Sequence, residues 1–307
     1  MSKVSSKKFL NIIGINKSGK IKKIPKIICF RKPISKQNVH SIMKNKQAFG
    51  IVSSHNIYRK ANSRYCKFWC NCFRSPNKYF GSKPVVNISE SDFVDPSTLF
   101  MVKKNKIWDF FYFTIGGSLG NEYKGMDLFV DCLPTLCGEY GLRGLVIRYA
   151  KTKTNFVLDG RRRSILKKYS KKHLKIYKRK LDQIGVAKLM ATSRFGFFPN
   201  RSDCSPMLLA ESLVRDIPVL VNSKIMGGWK YVNKDTGRFF DLDNISNCLD
   251  SLLDGSFNPC ESFMEEYGYK NTSTKLAQFG RKHIRVFNKF KAIGFEGSQK
   301  TMRAVYE

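Results

Sequence analysis

Two carboxylates, Asp203 and Glu211, flank the step Ser205-Pro206-Met207 in the stretch FGFFPNRSDCSPMLLAESLVRDIPVLV, which begins at Phe195. Ser is a favoured helix N-cap, and Pro at the first helical position loses no hydrogen bond it would have made. A helix is therefore predicted from Ser205-Pro206 to Arg215, with Met207, Leu208, Ala210, Glu211 and Leu213 at helical spacing. Its N-terminus offers free backbone N–H groups and a positive dipole end, which suit a phosphate. The carboxylates suit hydroxyl groups, since each can accept two hydrogen bonds. A nucleotide sugar carries both kinds of group.

A second constellation lies upstream. The aromatic run Trp108 to Ile115 ends in Gly116-Gly117-Ser118-Leu119-Gly120, and Tyr123-Lys124-Gly125 leads into an amphipathic stretch from Met126 to about Tyr140, with Pro134 as an expected kink. Strand, glycine loop and helix with a nearby lysine can cradle a phosphate. The loop is neither a dinucleotide fingerprint nor a P-loop, because the glycine spacing and the terminal Gly-Lys-Ser/Thr are absent.

The elements that position these residues alternate. Trp108–Ile115 and Gly144–Tyr149 read as strands, Phe195–Phe198 and Ile217–Val221 as buried strands, and Leu181–Ala191 and Asn244–Leu253 as helices. Alternation of this kind predicts a parallel, doubly wound α/β sheet. Before residue 108 the signals are weaker. Short strands are expected at Ile24–Phe30, Ala48–Val52 and Pro84–Ile88, with a polar turn or cap at Ser89–Asp92. A basic amphipathic helix is expected over Ala277–Phe290.

The order of motifs is specific. Pro199-Asn200, Asp203, seven residues, Glu211-Ser212 and Pro218-Val219 are followed by Gly227-Gly228 and Asp235-Thr236-Gly237. This series resembles the donor-binding signature of retaining glycosyltransferases of the GT-B fold, sequence family 4, over about Trp108 to Phe240. The resemblance implies an α/β protein of two Rossmann-like domains with the N-terminal one abbreviated. Residues 1–107 would be the acceptor side, 108–270 the nucleotide-sugar donor domain, and 271–307 a helical segment packing back toward the first domain. It implies sugar transfer from a nucleotide-sugar donor to a glycan, glycoprotein or glycolipid acceptor with retention of configuration. The catalytic candidates are Asp203, Glu211 and Lys124. Lys124, Gly116 and Gly117, with Ser205, Pro206 and Met207 at the helix start, would hold the donor diphosphate. Glu211 would take the ribose hydroxyls and Asp203 a sugar hydroxyl. No metal or other cofactor is expected. Asp203 stands where Glu is more usual, and Leu119 stands where the family often has an Arg. A sugar-contacting His occurs in parts of the family, so His55 is a candidate, although lone residues such as His55 and His40 more often serve packing or surface roles.

The 307 residues carry 56 Lys and Arg against 23 Asp and Glu, a formal charge of +33. That balance raises two partner classes, nucleic acid and anionic membrane surfaces. Against a nucleic-acid groove, the charge is spread along the chain and no helix-turn-helix, zinc-finger or RNA-recognition signature is present. The one cluster is RRRSILKKYSKKHLKIYKRK, from Arg161 to Lys180. A nucleic-acid-binding α/β protein and an inactive transferase-like module stand as alternatives. No apolar run reaches the ~18 residues of a membrane span, and the basic start has too short an apolar stretch for a signal peptide. A cytoplasmic location is expected. Nine scattered cysteines fit reduced thiols better than a disulfide framework, and the cluster Cys66, Cys70 and Cys72 matches no common zinc spacing. The lysine-rich composition and the wording Asp-Cys-Ser-Pro and Gly-Gly-Trp-Lys-Tyr are similar to transferases of large DNA viruses.

Overall fold

The computed structural model of the chain describes residues 9–16, 21–23, 27–30, 47–52, 66–75, 80, 82–115, 117–149, 156–177 and 181–296. Gly116, His40 and His55 lie outside the described residues. The chain divides into two compact units, residues 1–99 with 265–307, and residues 100–264. Elements are numbered along the chain.

The first unit is built on β1 (Phe9–Asn16), β2 (Ile21–Lys23), β3 (Ile27–Phe30), β4 (Gln47–Ile51), β5 (Cys66–Cys70), β6 (Val85–Val86) and β13 (Phe290–Glu296). Their order is β13-β1-β3-β4-β5-β6, with β2 also paired to β1. The run from β3 to β6 is parallel, whereas β1 is antiparallel to β13, β2 and β3. Helix α7 (Gly268–His283) lays Tyr269, Leu276 and Ala277 into a core with Phe49, Phe68, Phe287 and Ile293. Phe49 and Phe68 stack there with ring centroids 4.7 Å apart. Ser89 caps the 3-10 turn Glu90–Phe93 in a reciprocal capping box with Asp92.

One expectation fails in this unit, and one strand went unread. Residues 277–290 are not one helix. The helix ends at His283, Ile284 turns extended, a 3-10 turn spans Arg285–Lys289, and a strand follows. Helical periodicity continued past the break because the turn packs Phe287 into the same core as α7. The basic start also contains a strand, β1, unread in the sequence because its β13 partner lies at the far end of the chain.

The second unit carries β7 (Trp108–Ile115), β8 (Gly144–Tyr149), β9 (Leu174–Tyr177), β10 (Ser193–Phe198), β11 (Val219–Asn222) and β12 (Gly237–Phe240). All six are parallel, in the order β12-β11-β10-β7-β8-β9. Strands covered on both faces should be apolar throughout, and Phe110, Phe111 and Tyr112 are each fully buried, as are Val219, Leu220 and Val221. Its helices include α1 (Ser118–Lys124), α2 (Met126–Leu133), α3 (Gly160–Ser170), α4 (Gln183–Met190), α5 (Met207–Val214) and α6 (Ile245–Asp254), and a short helix, Pro259–Glu266, ends the unit. One core joins Phe110, Tyr112, Val146, Phe195 and Phe197 of the sheet to Phe129 of α2, Tyr169 of α3 and Leu249 of α6. Each such aromatic or leucine contributes about 1.5–3 kcal/mol on burial. Pro134 ends α2, and the backbone continues as a single π-helical segment, Pro134–Glu139, which accommodates a residue lacking its N–H.

The strand order reverses between β7 and β10. From β7 the chain winds outward through β8 and β9, then returns to β10 on the other side of β7 and continues to β11 and β12. Loops leaving the carboxyl ends of β7 and β10 therefore diverge, and such a reversal is where open α/β sheets bind ligands.

Candidate functional site

Both constellations leave the sheet at this reversal. After β7 the chain does not form an extended glycine loop as the sequence suggested. Gly117 is the N-cap of α1, and Gly120 lies inside that helix. Lys124 is its last residue, and Gly125, at φ 62°, turns the chain directly into α2. A Cβ on Gly125 would fall 1.9 Å from the carbonyl oxygen of Pro199. Only glycine lets the Lys124–Gly125 corner touch the end of β10 this closely. From below, the buried Tyr112 hydroxyl donates to the Lys124 carbonyl at 3.0 Å. Burial pushes that hydroxyl's pKa up, so it stays protonated as a donor.

After β10, Asn200 and Asp203 face this corner. Lys124 Nζ forms an ion pair with Asp203 Oδ2, and Asn200 Nδ2 donates to the same oxygen at 3.1 Å. Lys124 and Asp203, far apart in the chain, thus meet at the ends of adjacent strands. Beside them Arg201 Nη1 lies 2.5 Å from Asp127 Oδ1 in the first turn of α2. The loop is backed by the segment after β11. Met226 N donates to Arg201 O at 2.8 Å, and Gly227 N to Asp203 O at 3.0 Å. A Cβ on Gly227 would sit 2.0 Å from Cys204 O, so the Gly227-Gly228 motif acts as a backing that brings two backbones together. Asp235-Thr236-Gly237 is likewise a turn into β12. The buried Thr236 hydroxyl donates to Tyr231 O at 2.7 Å, and Asn233 Oδ1 accepts from Asp235 N and Thr236 N.

The start of α5 differs from expectation. The helix begins at Met207, one residue after Pro206, which is itself the N-cap with ψ 84°. The cap residue makes no side-chain hydrogen bond, and Ser205 lies one position before it. The Pro206 ring packs where a Cβ on Gly228 would meet it at 2.6 Å, and its carbonyl accepts from Leu209 N. Met207 remains 40% exposed at the helix start.

Glu211 is not brought into contact with Lys124 or Asp203. It is 6% exposed, and its Oε2 accepts from Arg215 Nη1 at 3.1 Å, one helical turn on. Arg215 Nη1 also donates to the Glu211 carbonyl at 2.9 Å. Burial raises the Glu211 carboxyl, and Arg215 and Gln183 of α4 oppose that rise. Burial likewise lowers the Arg215 guanidinium, with Glu211 opposing. Arg215 Nε and Nη2 are buried without a hydrogen-bond partner.

Tyr112, Arg201 and Arg215 were not singled out by sequence, and Asn200 was named only as part of the Pro199-Asn200 strand end. Arg215 had a local signal, the i,i+4 spacing to Glu211; Tyr112 was hidden in an aromatic strand. Cys66, Cys70 and Cys72 are buried with no disulfide, and burial pushes the Cys66 thiol up to about 12. Among the described residues no three His, Cys, Asp or Glu side chains converge as metal ligands, and no helix is long and apolar enough to cross a membrane.

No family model matches the chain, and no curated protein matches it. Solved structures do. TarM of S. aureus, in a complex with fondaparinux, alpha-GlcNAc-glycerol and UDP, superposes with a TM-score of 0.57 at 12% identity over 80% of this chain and 52% of that one. Sucrose-phosphate synthase of Thermosynechococcus elongatus gives 0.60 at 9% identity, covering 81% and 71%. The lipopolysaccharide outer core galactosyltransferase WaaB gives 0.59 at 12% identity, covering 87% and 76%. The chain spans about half the length of TarM. These likenesses show an α/β fold of the GT-B type with Rossmann-like domains.

Proposed function

We propose that this chain transfers a sugar from a nucleotide-sugar donor to a hydroxyl of a glycan, glycoprotein or glycolipid acceptor, with retention of configuration and without a metal. The observation that carries the reading is the meeting of Lys124 and Asp203 at the strand reversal, beside the start of α5. A cation, helix N–H groups and a carboxylate gathered there suit a diphosphate joined to a polyol. The GT-B fold supports it, as do the names of the similar structures, which include a galactosyltransferase and a complex containing UDP.

In this mechanism the donor diphosphate draws Lys124 away from Asp203 and frees the carboxylate for a sugar hydroxyl. The bond between the anomeric carbon and the diphosphate oxygen breaks. The acceptor oxygen bonds to the same face of that carbon, and its proton passes to the departing diphosphate. Lys124 and the N–H groups of α5 stabilise the charge that develops on the leaving group. Arg201, beside Asp127, supplies a second cation where the resemblance lacks its arginine at Leu119. Glu211 reaches ribose hydroxyls by exchanging its contact with Arg215.

The test is a thermal-shift series with UDP-, GDP- and ADP-sugars on the wild type and Lys124→Ala. A donor at a hundred times its Kd adds about 2.7 kcal/mol to stability. One nucleotide class should raise Tm in the wild type and far less in the variant, and NMR of the product should show the donor's anomeric configuration retained. No shift with any donor, or a shift untouched by Lys124→Ala, sinks the proposal.

A further inference from the structure

Asn200 follows Pro199 just beyond the carboxyl end of β10 and is almost fully buried, at 3% exposure. A buried amide needs hydrogen-bond partners, because leaving it unpaired is costly. Its main chain and its side chain find different ones. The Asn200 carbonyl accepts from Asn222 Nδ2, at the end of β11, at 3.1 Å. Asn222 is buried as well, and its Oδ1 accepts from Lys224 N at 3.0 Å. Asn200 Nδ2 in turn donates to Asp203 Oδ2 at 3.1 Å. A relay of amides thus runs from the end of β11, through the end of β10, to the carboxylate. The residue before Asn200 is fixed too, since Pro199 O is the atom that a Cβ on Gly125 would strike.

The relay matters because both donors that reach the Asp203 side chain fall on one oxygen. Lys124 Nζ and Asn200 Nδ2 share Oδ2, and no described residue donates to Oδ1. The two donors are not equivalent. Lys124 carries its charge on a flexible four-carbon stem, remains 22% exposed, and moves to the diphosphate in the proposed reaction. Asn200 is buried and tethered, so it stays. The terminal torsion of an aspartate is broad. Once Lys124 has left, the bond from Asn200 is the one among the described residues that still fixes the plane in which Oδ1 presents its lone pairs.

We infer that Asn200 is a positioning residue for the sugar half of the donor: it holds Asp203 Oδ2 so that Oδ1 accepts from a sugar hydroxyl. The inference rests on the sugar-transfer reading and deepens it, by separating what orders the sugar from what holds the diphosphate. Lys124 serves the diphosphate, whereas Asn200 acts on the sugar through Asp203. A carboxylate already held in its binding orientation loses little freedom when the hydroxyl arrives, and one free to rotate loses more. A residue that merely supported the fold would weaken both halves of the donor together.

The test is isothermal titration of the full chain with UDP, GDP and ADP, and with UDP-glucose, UDP-galactose, GDP-mannose and ADP-glucose. For the nucleotide class that binds, the quantity read is the Kd of the sugar nucleotide divided by that of its nucleoside diphosphate. Asn200→Ala should raise this ratio about tenfold and leave the Kd of the nucleoside diphosphate within about twofold. Lys124→Ala should instead weaken the nucleoside diphosphate itself. Asn222 bonds the main chain of residue 200, so a change of side chain there keeps that tether. Asn200→Asp preserves the side chain's shape and serves where Asn200→Ala does not fold. It removes the donor and sets a second carboxylate beside Asp203, so the ratio should rise at least as far. The inference is overturned, with the sugar-transfer reading intact, if the wild type binds a sugar nucleotide and the variant leaves the ratio within about twofold, or raises both Kd values together. If no sugar nucleotide binds the wild type, the sugar-transfer reading fails and the inference falls with it.

Discussion

The buried pair of Glu211 and Arg215 illustrates how one acid can face two demands. As the pattern's second carboxylate, Glu211 is the residue proposed for ribose, yet it lies almost wholly buried against a guanidinium two of whose nitrogens lack partners. Removing one member of such a pair strands the other's charge and costs about 3–5 kcal/mol, whereas replacing both by apolar residues is often neutral or stabilising. Glu211→Ala should therefore be destabilised by about 3 kcal/mol in urea unfolding, and Glu211→Leu/Arg215→Met should recover most of that loss. If Glu211→Ala unfolds at the wild-type midpoint, the pair is not the buried ion pair described. The same reasoning makes Lys124→Ala the cleaner probe of donor binding, because Lys124 is only partly buried and Asp203 keeps its bond from Asn200.

At the scale of elements, the link between α5 and β11 shows what a short connection requires. The chain reverses through Asp216, which has φ 60° and is the one non-glycine residue with positive φ among the described residues. Asp tolerates this conformation better than most side chains, but glycine tolerates it best. Asp216→Gly should raise stability by up to about 1 kcal/mol, and the β-branched Asp216→Val should lower it by about 1–2 kcal/mol. Both are read from urea midpoints at constant slope. Equal midpoints for Gly and Val would mean that the left-handed turn is not what limits this link. The effect matters for the site because α5 carries Glu211 and its start abuts Asp203.

For the whole molecule, the two units differ in how their cores are assembled along the chain. Residues 100–264 are continuous and own a complete parallel sheet with the core around Phe110, Phe129 and Phe197. The other unit needs both ends of the chain, because β13 pairs with β1 and α7 supplies Leu276 and Ala277 to the core of β4 and β5. A fragment of residues 100–264 should fold alone, with a cooperative thermal transition and dispersed amide NMR signals. A fragment of residues 1–99 should remain unfolded until residues 265–307 are restored. An unfolded 100–264 fragment would contradict the independence of its core.

By itself the sequence determined the central strands of the second unit, because parallel strands covered on both faces must be continuous apolar runs, visible at Phe195–Phe198 and Ile217–Val221, whereas the edge strand β12 went unread. It also determined the candidate polar residues, since Asp203, Glu211 and Lys124 stand out against that apolar background. Tertiary structure alone decided that Lys124 meets Asp203 and that Glu211 and Arg215, already at i,i+4 spacing, are buried as a pair. Lys124 finds Asp203 because the strand order reverses between β7 and β10, and no local pattern encodes that adjacency. Glu211 turns to Arg215 because burial on α5 demands a countercharge. Pro206 displaces Ser205 as the cap because its ring is packed against the Gly227-Gly228 segment. The strands β1 and β13 escaped notice for a related reason: each makes sense only beside the other, and residues 9–16 and 290–296 meet only once the chain has folded.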